Sequence, residues 1–193
     1  MLFSLLLSGC LFNASIQKIP LASHTISDHV CQLSSDTRAQ LKRNTLIRVP
    51  QLDITAQRYA NVLKNHNFFA HKDPRWFAPK TPLDRVLASG GEYRTTGENL
   101  AKIPILQIPL RHNSVYIVDR EKHLYTHSPN GNIIPFHTTR SGAEALIESW
   151  MNSPPHRETL LHHKMKFIGC GTAIQYQRGH IPMIISVQLL QTQ

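Results

Sequence analysis

The 193-residue chain has no apolar run long enough to cross a bilayer as a helix. Its three cysteines include no CxxC pair, which makes a thiolate zinc site unexpected. No long block of like charge occurs, nor a zinc finger, an RNP-like strand or an arginine-rich arm. Nucleic acid is therefore not an expected partner. HExxH and GxSxG are both missing, which removes the zincin helix and the serine nucleophile elbow. Charged residues make up 17% of the chain and hydrophobic residues 41%, a balance that argues against wholesale disorder. The length suits one domain with a sizeable core and not comfortably two.

Positive charge is in excess. Lys and Arg number 21 against 12 Asp and Glu, a formal charge of +9 that favours acidic surfaces without choosing among them. The chain opens MLFSLLLSGCLFNAS, and residues 2–12 are almost continuously apolar. The run fits the hydrophobic part of a signal peptide, although no Lys or Arg precedes it. Leu7-Ser8-Gly9-Cys10 is similar to a bacterial lipoprotein box, in which the cysteine carries lipid. Acyl chains add about 0.8 kcal/mol of membrane affinity per buried methylene. The expectation is an extracytoplasmic protein, either anchored to the envelope through lipidated Cys10 or secreted. Cys31 and Cys170 are candidates for a disulfide or for free buried thiols, and the sequence leaves both open.

Residues 1–12 read as a signal or lipoprotein-signal region and 13–32 as a tether. A first helix is expected over 33–47, with Pro50 breaking the chain. Leu52, Ala56, Tyr59, Ala60 and Leu63 recur at intervals of three and four, the stripe of an amphipathic helix ending near Asn67. Leu83, Val86 and Leu87 suggest a short helix ended by Gly90 and Gly91. GEYRTTGENLA reads as a turn-rich connection. The prolines at 104 and 109 exclude an ordinary central strand there. Residues 113–126 read as a hairpin, followed by a turn at SPNGN. Ser141, with Glu144 three residues on, predicts a helix start, and Pro154 and Pro155 its stop. FIGCGTAIQYQ and IPMIISVQLL predict a terminal β-hairpin whose second strand lies in the core. Helices and strands are mixed without a βαβ repeat, which predicts an α+β layered fold.

The chain has 12 histidines. His24, His29, His66, His112, His123, His127 and His137 read as surface side chains. His162 and His163 are adjacent, so their rings do not readily face one small site. Three polar positions remain: His71 beyond the amphipathic helix, Glu98 in Gly97-Glu98-Asn99-Leu100, and His156 after two prolines in NSPPHR. Spacing alone does not bring them together.

The ordered pattern FFAH, GENLA, SWMNSPPHRETLL and FIGCGTA resembles the CAP superfamily, in particular its bacterial SCP-like branch. This superfamily takes its name from the cysteine-rich secretory, antigen 5 and pathogenesis-related 1 proteins. The resemblance covers roughly residues 33–190. It implies a three-layer α-β-α sandwich with a central antiparallel sheet, built from 33–193 with an insertion around 102–140. It also implies a cleft in which His71, His156 and Glu98 meet. These three are the expected metal ligands for zinc or another divalent ion, and the catalytic residues if the protein is an enzyme. The eukaryotic pattern has a second glutamate where this chain has Ser153, which leaves the ligand set short; Glu144 and Glu148 lie nearby on the preceding helix. Trp150 reads as core, Arg85 and Arg157 as struts, and Gly169 and Gly171 as sites of close backbone approach.

The function implied is a ligand-binding or interaction module at the cell envelope, with a lipid, glycan or envelope protein as partner. A divalent-metal-dependent hydrolase of peptide or peptidoglycan, with Glu98 as general base, is the first alternative. A structural or adhesive envelope protein is the second.

Overall fold

A computed structural model describes residues 21–92, 94–108, 114–120, 122–178 and 180–193. The hydrophobic leader, the Cys10 box and His112 lie outside the described residues. The elements are α1 (Ser23–Gln40), β1 (Ile47–Arg48), α2 (Pro50–His66), α3 (Pro82–Ala88), β2 (Thr96–Pro104), β3 (Tyr116–Asp119), β4 (Leu124–Thr126), α4 (Thr139–Met151), α5 (Pro154–Leu161), β5 (Met165–Gln175) and β6 (Met183–Thr192).

The main sheet has the order β1-β5-β6-β2. β6 pairs antiparallel with β5 and with β2, and β1 joins β5 in parallel over two residues. Because successive side chains alternate between faces, β6 feeds two cores at once. Ile185, Val187 and Leu189 pack with Leu52, Ala56, Tyr59, Ala60 and Leu63 of α2. Ile184 and Leu190 point the other way, toward Ile26 and Val30 of α1 and Leu146 and Trp150 of α4. This is the α-β-α sandwich that the sequence implied, and Trp150 is fully buried in it.

Helix α2 lies unusually close to the sheet. A Cβ on Gly169 would sit 2.2 Å from the backbone of Leu52, and one on Gly171 2.2 Å from the backbone of Gln57. Only glycine permits this approach. The closeness lets α2 side chains bond to the edge of β5 beyond the short strand β1. Asp53 Oδ1 accepts from the Cys170 N–H at 2.9 Å. Gln57 accepts from the Thr172 N–H at 3.1 Å and donates to the Thr172 carbonyl at 2.9 Å. An open strand edge is thereby closed by a helix.

The first helix begins at Ser23, so residues 23–32 are helical and not tether. Its buried face is Ile26, Ser27, Val30, Cys31, Ser34 and Arg38. Half of those side chains are polar, so the apolar period is faint in sequence. Cys31 on that face is joined to Cys170 of β5 by a disulfide with a Cα separation of 5.9 Å. It ties the α1 layer to the sheet.

Pro50 does not break the chain. It occupies the first turn of α2, where its missing N–H costs nothing. Likewise Pro154 opens α5, a helix the sequence reading did not expect. The helix α4 starts at Thr138 as N-cap, and Ser141 is the third residue of the capping box rather than the cap. The turn-rich segment around Glu98 is a strand, β2, at the outer edge of the sheet. Pro104 is tolerated at its end for that reason. β3 and β4 form the expected separate hairpin within the 102–140 region. Tyr125 and Ile134 root that region in the core. Among the described residues no helix is long and apolar enough to cross a membrane.

Gly171→Ala is expected to destabilise the fold by about 3 kcal/mol or more, since backbone and not a flexible tip meets the new methyl. Gly142→Ala in α4 serves as the control, because its nearest neighbour is the Ile184 Cδ1 at 3.2 Å and alanine favours the helix. Urea unfolding of the two variants should differ sharply.

Candidate functional site

The site forms where two layers meet across the outer strand β2. His71 follows α2, whose last residue His66 is succeeded by Asn67 in the left-handed conformation. This αL cap turns the chain back toward the sheet. The Tyr59 hydroxyl donates to the Ala70 carbonyl at 2.6 Å and fixes the segment just before His71. Burial is the main cause that pushes the Tyr59 hydroxyl pKa up to about 12, so it stays a donor.

Glu98 projects from β2 toward the α2 layer and is 1% exposed in its side chain. Its Oε1 accepts from His71 Nδ1 at 2.9 Å. Its Oε2 accepts from the Arg85 guanidinium at 2.5 Å. Arg85, from α3, is also buried, and it donates to the carbonyls of His71 and Lys80 at 3.1 and 3.2 Å. Its guanidinium lies 3.4 Å from the Tyr59 ring centroid. One arginine thus neutralises the buried carboxylate, holds the His71 loop and stacks on the core.

His156 arrives from the opposite layer, in the first turn of α5. Its carbonyl accepts from Asn99 Nδ2 at 3.1 Å, and Asn99 also donates to Gln188 at 2.9 Å. Gln188 in turn donates to Ser34 Oγ of α1 at 2.6 Å. Asn99, Gln188 and Ser34 are all fully buried, so this chain of amides is a rigid support. The far end of α5 is held by Arg38, which is itself buried and carries no carboxylate partner on its bonds. It donates to the carbonyls of Asn44, Leu160, His162 and Met165. Sequence reasoning missed Arg38 and Gln188, since an isolated arginine or glutamine in a polar stretch carries no local signal.

The rings of His71 and His156 lie 6.4 Å apart between centroids at an angle of 45°. The His71 side chain is 53% exposed, so the pair faces solvent. Since a carboxylate only accepts, His71 Nδ1 carries the proton shared with Glu98. Nε2 lies on the far side of the ring, an acceptor when the ring is neutral and a donor when it is protonated. Burial, and next the charge of His71, hold the His156 pKa below the usual histidine value.

Of the three expected ligands, Glu98 is already engaged. Both of its oxygens are bonded, and its side chain is buried beneath His71. It orients an imidazole. Glu144 is exposed and paired with Arg140 at 2.9 Å, and Glu148 is exposed on the same helix. Among the described residues no group of three His, Cys, Asp or Glu side chains is placed to hold a metal. Two imidazoles fall short of the three protein ligands of a catalytic zinc and the four of a structural one, so the donor set does not fit a resident zinc. Of the remaining histidines, His137 is half-buried against Ser141 Oγ at 3.1 Å and is not a plain surface side chain. His162 and His163 stack on each other at 5.0 Å. Arg157 is exposed, and Arg85 alone of the two candidate arginine struts bonds to the site. A cavity of about 200 Å³ backs onto Tyr59, Asp73 and Arg85, and neither histidine lines it.

Glu98→Gln leaves the buried Arg85 without its counter-charge and is expected to cost roughly 3–5 kcal/mol in thermal or denaturant unfolding. A second expectation concerns pH. His156 and His137 both have folded pKa values below the unfolded value, each chiefly through burial. The unfolded chain therefore binds more protons in that window. Stability is full above the ordinary histidine pKa of about 6.5 and falls as pH drops through the lower folded values. His156→Gln should flatten this slope in unfolding free energies measured across the window.

Comparison with known proteins follows the same outline. Residues 35–190 match CAP, the cysteine-rich secretory protein family. The protein YkwD of Bacillus subtilis is 26% identical over 125 residues, 63% of this chain. The chain spans only 34% of that relative's length. An extracellular SCP-domain protein of Bacillus anthracis superposes with a TM-score of 0.58 at 17% identity, over 89% of this chain and 41% of that one. An outer surface protein of Borrelia burgdorferi gives a TM-score of 0.57 at 18% identity, over 90% of this chain and 97% of its own. At these identities the two structures speak for the fold. The family match runs from the last turns of α1 into the final residues of β6, through every residue of the His71, Glu98 and His156 site, and the chain belongs to the CAP family, with a domain of the bacterial SCP-like kind.

Proposed function

We propose that the protein works outside the cytoplasm as a binding module, with His71 and His156 as the polar centre of its ligand site. The observation that carries this reading is the use of Glu98. A carboxylate tied to Arg85 and to His71 Nδ1 sets one imidazole in a fixed orientation and tautomer. Nε2 of the half-exposed His71 ring then meets a ligand hydroxyl or amide, and His156, whose pKa is lowered chiefly by burial, offers a second polar contact. Glycans and hydroxyl-bearing lipids of the envelope have the matching chemistry. Protein partners with exposed amides fit the same pair.

Placement outside the cytoplasm is supported by the apolar leader at residues 2–12 and by the neighbours of like fold, one extracellular and one an outer surface protein. Anchoring through Cys10 belongs to the same proposal and rests on the Leu7-Ser8-Gly9-Cys10 box. The hydrolase reading is not favoured, because the group it needs as general base is buried and doubly engaged. Zinc has no part in the proposed role.

The test is a histidine-resolved NMR titration of the full chain with envelope glycans and with lipid in micelles. The expected result is movement of the His71 and His156 ring resonances together, lost in a His71→Ala/His156→Ala variant of unchanged fold. A ligand that binds equally well to that variant would remove the cleft from the function. Calorimetry with zinc should show no tight one-to-one event that the double variant abolishes.

A further inference from the structure

The loop between α2 and α3 carries a feature that the cleft does not use. Trp76 is 87% exposed and Phe77 67%, and they are neighbours in sequence. Their rings meet edge to face with centroids 5.7 Å apart. Two large aromatics held in water are a cost unless something covers them.

The loop that bears them is firmly built. Asp73 is buried, and its carboxylate accepts from the Arg75 backbone N–H at 3.0 Å and from the Arg75 guanidinium at 2.6 Å. The Asp73 N–H donates to the Lys80 carbonyl at 2.9 Å and closes the loop on itself. Lys80 Nζ donates back to the Arg75 carbonyl. Arg85 clamps both ends through the carbonyls of His71 and Lys80. The aromatic tip is therefore held out by the local bonds, and little ordering remains to be lost on docking.

Charge around the tip has one sign. Lys72 is exposed, Lys80 is half-buried, and the Arg75 guanidinium lies 5.5 Å from the Phe77 ring centroid. The one acid within the loop, Asp73, is buried and neutralised by Arg75. The chain as a whole carries +9.

We infer that Trp76 and Phe77 form a docking tip that seats in the headgroup region of an anionic phospholipid bilayer. Tryptophan rings favour that boundary, since one end is apolar and the indole N–H stays wet. Lys72 and Lys80 add attraction to anionic lipid, whereas the charge of Arg75 is balanced by Asp73. Area decides against a protein partner. Two aromatic side chains offer about 300–500 Å², whereas a stable protein interface needs about 800 Å² from each partner. The inference goes beyond the proposed cleft ligand and does not depend on it.

The chain reports on this tip directly. It has two tryptophans, and Trp150 is fully buried, so a solvent-sensitive change in emission comes from Trp76. The experiment mixes the full-length protein with vesicles of phosphatidylcholine alone or with added phosphatidylglycerol. The expected result is a blue shift of emission and quenching by brominated lipid in the anionic vesicles, both weakened by salt. Trp76→Ala/Phe77→Ala should keep the wild-type melting temperature, since both side chains are exposed. It should lower vesicle partitioning at least about tenfold. Residues 1–20 contain no tryptophan, so sedimentation driven by the leader would leave the emission unshifted. Unshifted emission with anionic vesicles, or equal partitioning of wild type and double variant, overturns the inference. Failure of the histidine titration leaves it untouched.

Discussion

The spacing between α2 and β5 is the dimension on which the rest of the molecule depends. Gly169 and Gly171 let a helix backbone come within van der Waals reach of a strand backbone. At that distance the short side chains of Asp53 and Gln57 reach the main-chain groups of β5 that no strand covers. A helix at the usual height above a sheet would leave those groups to water. The same placement fixes where α2 ends, and its end is where the loop of His71 begins. The histidine face is thus set by two missing methyl groups some distance from it.

β2 then acts as a two-sided mount. Glu98 and Asn99 are consecutive, so they point into opposite layers. Glu98 meets Arg85 and His71 in the α2 layer, and Asn99 meets Gln188 and the His156 carbonyl in the other. Each histidine is referenced to the same strand, one through its ring and one through its backbone. Arg38 adds the anchor at the far end of α5 by serving four carbonyls at once. Burial, and next the charge of Arg43, lower the Arg38 pKa, so the carbonyl bonds hold a cation that water no longer solvates.

Much of this was legible in sequence where the pattern was apolar. The stripe of α2, the terminal hairpin and the buried Trp150 needed only periodicity. Elements whose buried faces are polar were misread. α1 hides Ser27, Ser34 and Arg38 inside, and β2 presents Glu98 and Asn99 where a strand is expected to alternate with apolar residues. Pro50 reads as a break because proline ends a helix interior, yet it is welcome in a first turn, whereas Pro154 does follow the end of α4 as expected and also opens α5. The three site residues were found by their motifs, while their partners were not. Arg85 was visible as a strut, but nothing local said that it would take the second oxygen of Glu98. Cys31 and Cys170, 139 residues apart, stayed ambiguous until α1 was laid on β5.

The role proposed for Glu98 follows from its burial between two partners. A carboxylate has two oxygens, and here one serves a guanidinium and the other an imidazole. A general base needs a free lone pair within reach of the proton it removes. A metal ligand needs an oxygen directed at the ion. Glu98 is shut off from solvent while Arg85 and His71 stay in place, and displacing Arg85 would leave a buried charge unpaired. The stable use of this carboxylate is to hold His71 still. The buried ion pair of Glu98 with Arg85 thus fixes the orientation of one imidazole, and the proposal of a binding role rests on that orientation.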